Sequence, residues 1–236
     1  MIQQYIKRAI NQVIPKKKED LHGFEYTVTE LVNMYEGIQD ALEWHGEILS
    51  NKILEYKKSD TVFILGSGPS INSISKAEWE HIAQKDSIGF NYWLAHDFIP
   101  TMYMFQFTKS DNLLALLRDK HYQYEEIPFI IRGSGLAKGE LKNNKEKLNL
   151  LKKNPVYYLR EYPIHSKCSL DLNLLYKYID ALGYMKYGEI TSFIPKWRST
   201  LGLLLMLAYQ MGYKKIVLCG MDMYKKDHYL MLEALI

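Results

Sequence analysis

Cysteine is nearly absent from this chain. Cys168 and Cys219 are the only two in 236 residues, and no CxxC spacing accompanies them. That excludes a disulfide framework and a cysteine zinc site, and points to a reducing compartment. No apolar run approaches the ~18 residues that a bilayer demands; the longest, Leu203 to Tyr209, falls far short. No signal-peptide core opens the chain, so the expected location is the cytoplasm. Charge of one sign is also lacking. Thirty Lys+Arg against 27 Asp+Glu leave +3, too little for nucleic-acid binding. HExxH, GxSxG and a paired Asp-x-Asp at a strand end are all missing, so no metal site is expected. Tyrosine is abundant, with 19 residues.

Short apolar runs alternate with helical stretches. Thr61–Leu65 (TVFIL), Ser87–Phe90, Thr101–Phe107, Pro128–Arg132, Val156–Leu159 and Lys215–Cys219 read as strands, the last of them buried. Helices are expected after Ser75, where Ser75 and Glu78 form a capping box, and from Asp111. Two more are expected over Leu170–Leu182, ending at Gly183, and Thr200–Met211, ending at Gly212. Residues 27–57 read as one helix striped by Leu31, Met34, Ile38, Leu42 and Ile48. Residues 134–155 read as an exposed polar segment. The alternation predicts an α/β fold, Rossmann-like, with a mostly parallel sheet flanked by helices and a helical N-terminal extension. The division is 1–20 as an amphipathic and basic segment, 21–58 as the extension, and 59–236 as the nucleotide-binding domain.

In such sheets ligands bind beyond the carboxyl ends of the strands. Gly66-Ser67-Gly68-Pro69-Ser70 follows the first strand. Its glycines allow close backbone approach, and free N–H groups at a following helix start suit phosphate. It is neither GxGxxG nor a P-loop. Asn91 follows the second strand and offers a donor and an acceptor; the structural alternative is a turn or cap. Gly220-Met221-Asp222-Met223-Tyr224 follows the last strand. Asp222 is either a ribose ligand or a turn cap, and Tyr224 either a phosphate donor or core. Arg198, Ser199 and Thr200 open the most apolar helix, where orphan N–H groups and a guanidinium would suit an anion. Ser199 and Thr200 also read as ordinary caps. His165 and His228 are isolated histidines.

The order strand–GSGPS–helix, strand–FNYW, then RST–apolar helix–GYKKIVLCGMDMY resembles bacterial sialyltransferases of glycosyltransferase family 42, over about residues 60–230. It is similar also to a wider group of GxGPS-loop proteins that includes pyrophosphokinase-like enzymes. The resemblance implies a GT-A-variant sheet that takes a CMP-activated sugar as substrate, with no cofactor and no metal. It implies that Gly66, Ser67, Gly68, Pro69, Ser70 and Asn91 approach the nucleotide, with Ser67 where the family often has Asn. Gln106 stands where the family has an Asn after its third strand. Ser199 and Thr200 match a pair that contacts sugar carboxylate and phosphate, beside Gly220 and Asp222. Tyr224, with Tyr229, matches the tyrosines that assist the leaving phosphate.

The family's general base, a His, lies well beyond the Gly-x-Asp-x-Tyr motif. Twelve residues follow Tyr224 here, so the family's C-terminal lid is expected to be missing, and His228 or His165 is left as base. Three readings stay open: a CMP-sugar glycosyltransferase for surface glycans, a GxGPS-loop enzyme of another class, or a non-catalytic nucleotide-binding subunit. The expected partners are a nucleotide-sugar donor and a glycan acceptor, with no nucleic acid. A homo-oligomer is compatible with all three.

Ile2, Ile6, Ile10 and Val13 share one helical face, and Lys16, Lys17 and Lys18 follow Pro15. This pattern suits either packing on the domain or weak contact of residues 1–18 with an anionic membrane surface, worth about 1 kcal/mol per basic residue. The membrane reading predicts that anionic vesicles co-sediment more full chain than a chain beginning at Asp20, with the excess lost at high salt. Equal partitioning at both salt concentrations returns the segment to a packing role.

Overall fold

A computed structural model describes residues 18–106, 111–133, 149–164, 169–197 and 199–222. The elements, in chain order, are α1 (Lys18–Leu42), β1 (Glu47–Ile48), β2 (Thr61–Leu65), α2 (Lys76–Ala83), β3 (Asp86–Phe90), β4 (Met102–Phe105), α3 (Asp111–Lys120), β5 (Phe129–Arg132), β6 (Val156–Leu159), β7 (Glu161–Ile164), α4 (Ser169–Ala181), β8 (Ile194–Trp197), α5 (Thr200–Gln210) and β9 (Lys215–Cys219). Seven strands form one parallel sheet in the order β1-β6-β5-β4-β3-β2-β9, and β7 and β8 form a separate parallel pair. The fold is the expected α/β, Rossmann-like one, with helices on both faces.

The strands are apolar at successive positions because both faces are covered. Phe63, Leu65, Tyr103, Phe105, Phe129, Ile131 and Tyr158 pack with Met34 and Ile38 of α1, Ile82 of α2 and Leu117 of α3. The alternate residues Val62, Ile64, Ile88, Met104, Ile130 and Tyr157 pack with Leu203, Leu204 and Leu207 of α5 and with Ile53. Pleat alternation thus divides one apolar sequence run between two cores. At the amino ends, buried Asp86 accepts from the Lys58 and Ser59 N–H groups at 2.9 Å and from the Tyr213 hydroxyl at 3.0 Å. Burial and the Asp86 charge push the Tyr213 phenol above its ordinary value.

Three expectations need correction. The helix read over 27–57 begins earlier, at Lys18, and stops at Leu42. Gly46 then turns the chain at φ +102°, Glu47–Ile48 pairs with β6, and Asn51–Tyr56 is 3-10 helix. The apolar stripe does not distinguish one long helix from a helix, an edge strand and a second turn, because all three bury their residues on the same domain. Residues 149–155 are not an exposed segment: Leu151 is fully buried, and the Asn154 amide donates to the Ile127 carbonyl at 3.0 Å and also to that of Tyr124. β9 is no buried strand but an edge strand of the sheet, with Leu218 42% exposed. The β7–β8 pair was not anticipated, because EYPI and IPKW carry prolines that argue against strands. The helix expected over residues 1–14 lies outside the described residues.

Gly46 and Gly188 both have positive φ, at +102° and +73°. A Cβ on Gly46 would come within 2.8 Å of Tyr158, whereas a Cβ on Gly188 would meet nothing within 4 Å. Gly188→Ala should therefore cost about 1 kcal/mol of backbone strain alone. Gly46→Ala should cost more than about 2 kcal/mol, since the clash adds to the strain. Urea denaturation of the two variants checks this, and equal losses would contradict it.

Candidate functional site

The chain leaves β2 toward β3 on one side, and β9 returns on the other, so the carboxyl ends of β2 and β9 flank a topological switch point. Leu65 pairs with both Gly89 and Cys219, which sets the ends of β3, β2 and β9 side by side. The Gly66 N–H donates to the Cys219 carbonyl at 2.8 Å, and the Gly68 N–H to the Gly220 carbonyl at 2.9 Å. The Ser70 N–H donates to Asp222 Oδ2 at 2.7 Å. The two motifs at the ends of β2 and β9 are thus one interlocked unit.

That contact accounts for the glycines. A Cβ on Gly66 would lie 2.8 Å from the Gly220 carbonyl oxygen, and one on Gly68 would overlap the Asp222 carboxylate. Gly220 adopts φ +66°, and a Cβ there would overlap the Gly66 carbonyl. The residues read as an opening for a ligand are first an opening for each other. Pro69 starts a 3-10 turn, Pro69–Ser73, and the Asp222 carboxylate satisfies an orphan N–H at its start. Of the two roles considered for Asp222, the turn cap is the observed one. Ser67 is buried, while Ser70 is exposed at the loop surface.

Asn91 begins a 3-10 turn directly after β3, at φ +54°. Few residues other than glycine tolerate that region, and Asn is the commonest exception. Its carbonyl accepts from the Tyr103 hydroxyl, which holds the turn in place. Among the described residues its side-chain amide takes no hydrogen bond. It is half-buried, so a donor and an acceptor remain available beside the loop after β2.

The strongest polar cluster lies two strands further along the same edge. Arg132, the last residue of β5, is 3% exposed. Its Nε and Nη2 donate to the two Glu161 oxygens at 3.0 Å each, a bidentate pair. Its Nη1 donates to Thr200 Oγ1 at 2.9 Å and to Gln106 Oε1. Lys196 Nζ lies 2.8 Å from Glu161 Oε2. Ser199 caps α5 by accepting from the Gly202 N–H at 3.1 Å. Three strands and a helix start therefore converge on one guanidinium. Among the described residues two cations face one carboxylate, and the α5 N-terminus adds partial positive charge. The cluster is suited to a further anion.

Burial alone would raise the Glu161 carboxyl pKa, but hydrogen bonds and charge from Arg132 and Lys196 outweigh it and hold the pKa below the usual carboxylate value. Arg132, Glu161 and Lys196 were missed in the sequence. FIIR reads as a strand end and EYPI as part of a loop-like stretch, and nothing in their spacing announces a pair 29 positions apart. Of the other candidates, Gln106, Ser199 and Thr200 belong to this cluster, and Gly66 to Ser70, Asn91, Gly220 and Asp222 lie along the same sheet edge. His165, Arg198, Tyr224, His228 and Tyr229 lie outside the described residues. Among the described residues, no group of three or more His, Cys, Asp or Glu side chains is placed to hold a metal ion.

A lowered folded-state pKa gives Glu161 a stabilising contribution that is complete above its unfolded value near 4.5 and is lost as pH falls through the folded value. Unfolding free energy should fall with acidification below about pH 4.5. Glu161→Gln should lose about 3–5 kcal/mol at pH 7, because it leaves Arg132 buried without its charge partner. It should also show a shallower acid slope than the parent. Chemical denaturation at pH 7, 5 and 4 measures both, and parallel slopes would remove Glu161 from this role.

Comparison with models of known families and with curated proteins finds no match to this chain.

Proposed function

We propose that this protein is a metal-independent, inverting glycosyltransferase that uses a CMP-linked acidic sugar, of the sialic acid or Kdo type, to extend a surface glycan. The observation that carries the reading is the Arg132–Thr200 contact at the start of α5, on the same sheet edge as the GSGPS loop and the free amide of Asn91. A nucleotide-linked acidic sugar carries a phosphate and a carboxylate. An excess cation, a hydroxyl and a helix N-terminus are the groups that recognise such anions. The motif order that resembles glycosyltransferase family 42 supports the same donor.

In this reading the acceptor hydroxyl oxygen bonds to the anomeric carbon as the bond from that carbon to the phosphate oxygen breaks. The electron pair of the broken bond goes to CMP. Its growing charge is met by Thr200, the α5 N–H groups and Tyr224, in the manner of a preorganised oxyanion site. The acceptor's proton goes to a base, with His228 and His165 as candidates. Asn91 orients the nucleotide, and the interlocked loops after β2 and β9 form the floor beneath it. The reaction would take place in the cytoplasm, where residues 1–18 could hold the protein at the inner membrane face. No helix among the described residues is long and apolar enough to cross a membrane.

Titration calorimetry should find that CMP binds equally well with and without EDTA. Thr200→Val, which keeps volume and loses the hydroxyl, should weaken CMP by about fivefold to tenfold, the worth of one hydrogen bond. A melt of the variant should show a folded protein destabilised by about 1–3 kcal/mol, because the buried Arg132 guanidinium loses one acceptor. If CMP gives no heat while ATP binds only with Mg²⁺, the reading gives way to a pyrophosphokinase-like enzyme.

A further inference from the structure

On the far side of the β6–β7 junction, α1, α4 and the β7–β8 pair enclose a cavity of about 590 Å³. That is within the range of about 300–1,000 Å³ common for small-molecule sites. Its inner wall is made by Met34, Ile38, Ile179 and Phe193, and Tyr35, Tyr178 and Leu182 stand at its mouth, each more than half exposed. Among the described lining residues Arg160 is the one charged side chain and none is a carboxylate.

Arg160 is held from behind: its carbonyl accepts from the Ile194 N–H at 2.9 Å. Its guanidinium lies 5.2 Å from the centre of the Phe193 ring. Its Nε is buried and has no hydrogen-bond partner among the described residues. The adjacent Glu161 faces the opposite side of the junction, where Arg132 and Lys196 engage its oxygens. Burial also pushes the Arg160 pKa down, a sign of a desolvated cation. A buried donor without a partner is costly, and more so when it carries charge.

We infer that this cavity binds a single-chain amphiphile with a carboxylate head, a fatty-acid anion, whose chain lies on the apolar wall and whose head pairs with Arg160. A neutral apolar ligand would fill the space and leave the guanidinium unpaired. A small inorganic anion would pair with it and leave the wall wet. Only a ligand with both parts satisfies the site. This inference stands apart from the nucleotide reading, since it uses none of the residues proposed to hold CMP.

Calorimetry of the full chain with decanoate, kept below its micellar concentration, and with decanol tests it. Decanoate should saturate at one per chain and bind at least about tenfold tighter than decanol, although it is the less hydrophobic of the two. Arg160→Gln should erase that preference while leaving decanol within about twofold, as expected when a charge-assisted bond is lost and the apolar wall kept. Ile179→Trp, which fills the cavity, should abolish both. Non-saturating decanoate, or decanol binding as tightly as decanoate in the unaltered protein, overturns the inference. So does an Arg160→Gln variant, folded by its melt, that keeps the decanoate preference.

Discussion

A single buried guanidinium organises the carboxyl edge of this fold. Arg132 ends β5 where water is excluded, and a charge there persists only with full hydrogen bonding. Glu161 supplies one side of that requirement, and Gln106 and Thr200 supply the other. Four separate stretches of chain must therefore arrive together: the ends of β4 and β5, the start of β7 and the start of α5. Lys196 adds a further tie from β8. The β7–β8 pair, an otherwise weak two-stranded unit, is anchored to the main sheet through Glu161.

This arrangement also sets the division of the surface around it. Along the chain Arg160 and Glu161 are neighbours, yet they serve opposite sides of the junction. Glu161 belongs to the polar cluster beside α5, while Arg160 lines the apolar cavity under α1 and α4. Met34 bridges the two, since it lines the cavity and its sulfur accepts from the Glu161 N–H at 3.2 Å. Arg132 and Lys196 engage Glu161, and among the described residues no carboxylate pairs with Arg160.

Elements marked by neighbouring residues are legible in the sequence. TVFIL, the Ser75–Glu78 capping box, Gly183 and Gly212 each announce an element or its end through neighbouring residues, and each stands as read. The parallel sheet follows from their alternation. What escaped was long-range or ambiguous in period. Arg132 looks like an ordinary strand end and Glu161 like part of a loop until the fold joins them. The segment 43–57 keeps an apolar stripe through a helix end, a left-handed glycine and an edge strand. The glycines of GSGPS were visible, but not that their first contact is Gly220 and Asp222.

The central claim is that one continuous site runs along the carboxyl edge from the GSGPS loop, past Asn91, to Thr200. A crystal structure with CMP bound tests it most directly. The account predicts density for the nucleotide over the Gly66–Ser70 loop, with the base or ribose at the Asn91 amide and the phosphate within hydrogen-bonding distance of Thr200 and the first N–H groups of α5. CMP bound elsewhere on the molecule, with that edge unchanged, would contradict it.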